Sequence, residues 1–207
     1  MLMNTLLKIS AVLLILTSCD TKNRLQQESF KTILPDSANI YEPQLIFEKL
    51  QLKSKELRLP QLNKGIDSFN LRIWQSSMIS RNTVINLSYT NKNWLATTTD
   101  FYKGLGKIDS FKTSDISSKI TSTLTDSIRS FNFINIPSQY DIPGFYDKMN
   151  DGVGFSIEIL NKRFYKMIIY HCPNRYPLEP NNKRIMDLIY LLDNYFNFYT
   201  PYCGVEK

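Results

Sequence analysis

The chain carries a single histidine, His171, and it stands beside Cys172. A cysteine nucleophile needs a base next to its sulfur. The run up to Pro173 reads as a strand, however, and successive side chains on a strand point to opposite faces. The two groups are therefore expected not to meet, and no catalytic residue is assigned. Metal chemistry has little to work with. His171, Cys172 and Cys203 lack the close pairing of a zinc site, and Asp147-Lys-Met-Asn-Asp151-Gly is too short and poorly spaced for a calcium loop. Lys103-Gly-Leu-Gly-Lys107 follows no strand-to-helix transition and reads as a turn, not a phosphate cradle. No metal and no cofactor is expected. The 25 basic and 19 acidic residues are spread along the chain, so no nucleic-acid partner is expected either. What remains are the aromatic residues of irregular stretches. Phe133, Tyr140, Phe145 and Tyr146 fall in residues 132–151, and Tyr176 falls in Cys-Pro-Asn-Arg-Tyr-Pro. Exposed loop aromatics suit contact with protein or carbohydrate; folded back, they would form a lid over the core. Tyr140, Phe145, Tyr146 and Tyr176 are the candidate binding surface.

The N-terminus reads as an address. In residues 1–18 the only charge is Lys8, and residues 9–16 are apolar apart from Ser10. A short basic region, a short apolar core and small residues before a cut define a secretory signal. The run falls well short of the roughly 20 residues that span a bilayer. It closes on Leu16-Thr17-Ser18-Cys19, which resembles the lipobox of bacterial lipoproteins. That resemblance covers residues 1–19. It implies cleavage before Cys19, lipidation of Cys19, and anchoring to a membrane through its acyl chains. The implied location is the bacterial cell envelope, periplasmic or surface-exposed. Removing 18 residues, one of them Lys, would leave 189 of the 207 residues and lower the formal charge from +6 to +5. With Cys19 used by lipid, Cys172 and Cys203 remain as an even pair in a compartment that permits disulfides. They would form either a bridge or two buried thiols.

Residues 19–45 are expected to be a tether and lead-in segment, with a short helix over 25–34 ended by Pro35. Residues 45–62 carry only a weak pattern. Phe69, Leu71 and Ile73 alternate with polar residues as on a half-buried strand. Residues 82–90 and 94–102 flank Asn91-Lys92, and a two-residue loop there sets Tyr89 opposite Trp94, Leu87 opposite Ala96 and Ile85 opposite Thr98. A further strand is expected near 107–113, and a helix over 115–131 on the spacing of Ile116, Ile120, Leu124 and Ile128. Residues 153–171 form a second hairpin. A three-residue loop is preferred there, with Ile159 opposite Tyr165 and Glu158 opposite Lys166, because it keeps Lys166 off the apolar face. Pro180 opens the last helix, whose apolar face is Ile185, Leu188, Ile189, Leu192 and Phe196.

Hairpins and helices without strand–helix–strand alternation indicate an α+β fold. The expected form is an antiparallel sheet built from hairpins with two main helices packed on one face, in a single domain over 46–203. The remainder resembles small exported lipoproteins in general style. The function this implies is a non-catalytic binding or interaction module with a protein partner. An immunity-type lipoprotein that neutralises an envelope-acting toxin, and a carboxylate-dependent hydrolase, are the alternatives.

Overall fold

A computed structural model describes residues 30–36, 43–62, 69–77, 81–103, 107–145, 152–199 and 203. The first hairpin read from the sequence is β3 (Asn82–Thr90), which pairs with β4 (Asn93–Lys103) across Asn91 and Lys92. Both turn residues have positive φ, +52° and +65°. That is the left-handed pair whose twist matches that of the flanking strands. It fixes the register: Tyr89 faces Trp94, Leu87 faces Ala96 and Ile85 faces Thr98, as the alternation predicts. On one side β3 pairs with β2 (Phe69–Ser77), and on the other side of β4 lies the edge strand β5 (Ile108–Asp115). Beyond β2 come β6 (Val153–Leu160), β7 (Phe164–His171) and the short β1 (Lys31–Ile33). The seven-stranded sheet has the order β1-β7-β6-β2-β3-β4-β5, antiparallel throughout except for the parallel β1–β7 pair. Among the described residues three α-helices join it: α1 (Pro43–Glu56), α2 (Ser122–Ser130) and α3 (Pro180–Phe196). The class is α+β.

The period of two along the strands sorts side chains into two cores. Leu71, Ile73, Ile85, Leu87, Ile157 and Ile159 share a cluster with Leu124 and Ile128 of α2 and with Ile185, Leu188, Ile189 and Leu192 of α3. Trp74, Val84, Phe101, Tyr165 and Met167 form the other cluster with Leu50 of α1 and with Leu57 and Leu62 beyond it. Helix α1 was not distinct in the sequence because part of its buried face is polar: Gln51 and Ser54 are buried beside Leu50. Arg58 adopts φ +58° just past the helix, and the Leu59 amide donates to the Ser54 carbonyl at 2.7 Å. This closes the last turn and redirects the chain.

Three local expectations are corrected. The β6–β7 hairpin departs from the three-residue register: its innermost pair is Leu160 and Tyr165, so Ile159 faces Lys166, Glu158 faces Met167, and Phe155 faces Tyr170. Lys166 thus lies on the α2–α3 side after all. Its ammonium donates to the carbonyls of Phe133, Ile134 and Ile136 at 3.2, 2.7 and 2.6 Å, so a buried charge is accommodated there. The helix expected over 115–131 is shorter. Strand β5 runs on to Asp115, a 3-10 turn follows at Ser117–Lys119, and α2 begins after Thr121, whose hydroxyl caps the Leu124 amide at 3.1 Å. Within the expected tether, residues 31–33 are strand rather than helix, paired to β7.

Candidate functional site

Several strand ends meet at one end of the sheet. Phe69 opens β2, Tyr89 lies near the end of β3, Trp94 near the start of β4, and Phe164 opens β7. Phe69 pairs with Tyr89, and Tyr89 pairs with Trp94. Odd–even alternation across these pairs puts the three rings on the α2–α3 side. The chain leaving α2 passes above them and adds Phe131 and Phe133. The rings contact one another: Tyr89–Trp94 at 5.3 Å between centroids, Phe131–Phe133 stacked at 5.8 Å, Phe69–Trp94 edge-on at 5.9 Å. Between floor and roof is an open groove of about 450 Å³, within the size range of small-molecule sites.

Its polar rim is small. The Arg129 guanidinium lies 5.5 Å from the Tyr89 ring centre, a cation–π distance, and 3.9 Å from Asp126. Ser130, Asn132 and Asn161 complete the rim. Asn161 Oδ1 accepts from the amides of Arg163 and Phe164 at 2.8 and 3.0 Å. That shapes the β6–β7 turn and sets the backbone that carries Phe164. The roof is held from below by Lys166, whose three carbonyl acceptors include those of Phe133 and Ile134. Burial pulls the Lys166 ammonium below its usual pKa, and Asp141 opposes that. The lining contains no thiol and no carboxylate. Such a surface can stack, exclude water and donate hydrogen bonds through Arg129, Ser130, Asn132 and Asn161.

The residues proposed from sequence fall elsewhere. Phe145 and Tyr176 meet edge-on at 4.8 Å, while Tyr140 packs against the α1-side core. Tyr146 and Cys19 lie outside the described residues, as do Asp147, Asp151 and residues 104–106. Cys172 and Cys203 are joined by a disulfide, with Cα atoms 5.6 Å apart. The expectation that His171 and Cys172 stay apart is corrected, since His171 Nε2 lies 3.9 Å from Cys172 Sγ. The strand ends there, and Cys172 takes a left-handed conformation with φ +44°, so strict alternation no longer separates the two side chains. Among the described residues no group of His, Cys, Asp and Glu is arranged to hold a metal.

The groove was missed, although each of its aromatics was visible. Phe69, Tyr89 and Trp94 read as ordinary strand-face residues. The signal that marks them is position: they stand at strand ends, and Tyr89, Trp94 and Phe164 flank the two hairpin turns. A second polar site was also missed. Glu158 is buried among Arg72, Trp74, Tyr165 and Gln51, with no opening to solvent at its side chain. It is the only buried acid among the described residues. No protein-family model, curated protein or solved structure matches the chain.

Proposed function

We propose that this protein is a lipid-anchored component of the bacterial cell envelope that works as a non-catalytic binding module, with the aromatic groove as its recognition surface. The observation that carries the reading is the groove itself. It is formed by aromatic residues from several strands and the α2 exit, it is open, and its lining holds no carboxylate, thiol or imidazole. Leu-Thr-Ser-Cys at 16–19, after a short apolar run, supports the anchor. On this reading the β3–β4 and β6–β7 hairpins are the units of assembly, and α2 and α3 back the groove side together.

The anchor is tested by expressing the full chain in a bacterium that processes lipoproteins and supplying labelled palmitate. The wild type should carry label and sediment with membranes. Cys19→Ser should lose the label and leave the membrane fraction. A Cys19→Ser protein that keeps both properties sinks the anchored reading.

A further inference from the structure

We infer that the groove docks onto anionic phospholipid at the membrane surface, with its aromatic floor at the headgroup level and a collar of cations on the phosphates. This rests on the binding-module reading above and names the ligand of that groove. Three observations carry it. The first is charge: the lining holds one cation, Arg129, and no carboxylate, so an anionic or neutral amphiphile is favoured over a cationic one. The second is the surroundings. Lys92 sits in the β3–β4 turn, Lys162 and Arg163 in the β6–β7 turn, and Lys31 at the start of β1. All four are exposed, as is Arg129. They occupy the sheet end that carries the groove, because Lys31 pairs with Phe164 and the turns adjoin Tyr89, Trp94 and Phe164. Asp126 stands 3.9 Å from Arg129, outside the lining.

The third observation is where the chain enters. Lys31 is a groove neighbour and stands twelve positions after Cys19. Twelve residues reach at most about 40 Å when fully extended, so a lipid on Cys19 holds Lys31, and the groove beside it, within that distance of the bilayer. Trp and Tyr side chains with basic neighbours are the residues that settle at a membrane–water interface. Each Lys or Arg near an anionic surface strengthens attraction about five-fold.

Trp94 makes the proposal testable, since the other tryptophan, Trp74, is buried in the α1-side core. The full chain is mixed with vesicles of brominated phosphatidylcholine, with or without phosphatidylglycerol, and tryptophan quenching is followed. Lipidated wild type should show Trp94 quenching that rises several-fold with phosphatidylglycerol and falls as salt is raised. Trp94→Phe should remove that signal. Arg129→Ala and Lys92→Ser, both at exposed positions, should each weaken the anionic dependence about five-fold without changing the folded spectrum. Quenching that ignores phosphatidylglycerol, or that survives unchanged when both charges are removed, overturns the proposal. So does an unquenched Trp94 together with crosslinks from a photoreactive residue at position 89 to an envelope protein, which would assign the groove to a protein partner. The Cys19→Ser chain separates the two readings. If it is soluble and vesicles still quench Trp94 in the anionic-dependent way, the groove assignment stands whatever becomes of the anchor.

Discussion

Glu158 is buried, yet its carboxylate meets donors on several sides. The Trp74 indole donates at 2.6 Å, the Tyr165 hydroxyl at 2.9 Å and the Gln51 amide at 3.4 Å, and Arg72 Nη1 stands at 3.5 Å. Arg72 in turn donates to Asn86 Oδ1, Ser54 Oγ and the Pro60 carbonyl at 3.2, 3.0 and 2.6 Å. The cluster therefore ties α1 and the turn after it to the middle of the sheet. Burial lowers the Arg72 pKa, with Glu158 and Tyr165 opposing that, and burial next to Glu158 raises the Tyr165 phenol. A buried pair of this kind adds little net stability over apolar packing, but removing one partner strands the other. Arg72→Met should cost about 3–5 kcal/mol, and Glu158→Leu a comparable amount. The double variant should cost less than the two together by at least about 1 kcal/mol, because it leaves no uncompensated charge. Urea unfolding of the four proteins measures this; strict additivity would mean the pair is not coupled. Sequence could not reveal the cluster. Arg72 and Glu158 each occupy the polar phase of an alternating strand, which reads as a solvated face until a helix covers it.

Among the elements, the two hairpins show what local pattern can and cannot decide. For β3–β4, a left-handed two-residue turn and paired aromatics agree, and the register follows from sequence. For β6–β7, the choice depended on keeping Lys166 away from apolar neighbours. That criterion fails when distant carbonyls accept the ammonium, and the carbonyls of Phe133, Ile134 and Ile136 lie about thirty residues upstream. Helix α1 was obscured for the same reason, since its polar inner face answers a remote Arg72 and Glu158. The β5–α2 junction is decided locally. Asp115 Oδ1 accepts from the Ser117 hydroxyl at 2.6 Å and the Ser117 amide at 2.8 Å, while Ser117 Oγ accepts from the Ala96 amide at 3.0 Å. Those two bonds from Ser117, its hydroxyl first, hold the exposed Asp115 carboxyl below its ordinary value. With the folded pKa depressed, the junction's contribution is present above the unfolded aspartate value of about 3.9 and is lost as pH falls through the lower folded value. An NMR titration should find Asp115 ionising below ordinary aspartates, and Ser117→Ala should move its midpoint up toward them. Identical midpoints in the two proteins would remove Ser117 as the cause.

For the whole molecule, the two ends of the sheet differ. The β3–β4 and β6–β7 turns, the groove aromatics and the start of β1 gather at one end, and His171, Cys172 and Cys203 mark the other, where β7 finishes. The α+β class was legible because periods of two and of 3.6 succeed each other along the chain. The groove was not, because it is assembled by long-range pairing from β2, β3, β4, β7 and the α2 exit. The disulfide closes a loop of 31 positions that contains α3, and so it fastens the residues after that helix to the sheet. In the chain-entropy account a loop of that length contributes about 3–4 kcal/mol. Gly152 sits against it with φ +137°, and a Cβ at that position would collide with Cys172 Sγ. Mass analysis without reductant should therefore show Cys172 linked to Cys203, and reduction should lower the urea midpoint by an amount equivalent to about 3–4 kcal/mol. Gly152→Ala should destabilise the oxidised protein through both strained backbone and the clash. Because the bond lies at the end of β7 away from Phe164, the reduced protein, while still folded, should keep the Trp94 emission of the oxidised one. A shift of Trp94 emission on reduction alone would show that the two ends are coupled, and a free pair of thiols would remove the fastening altogether.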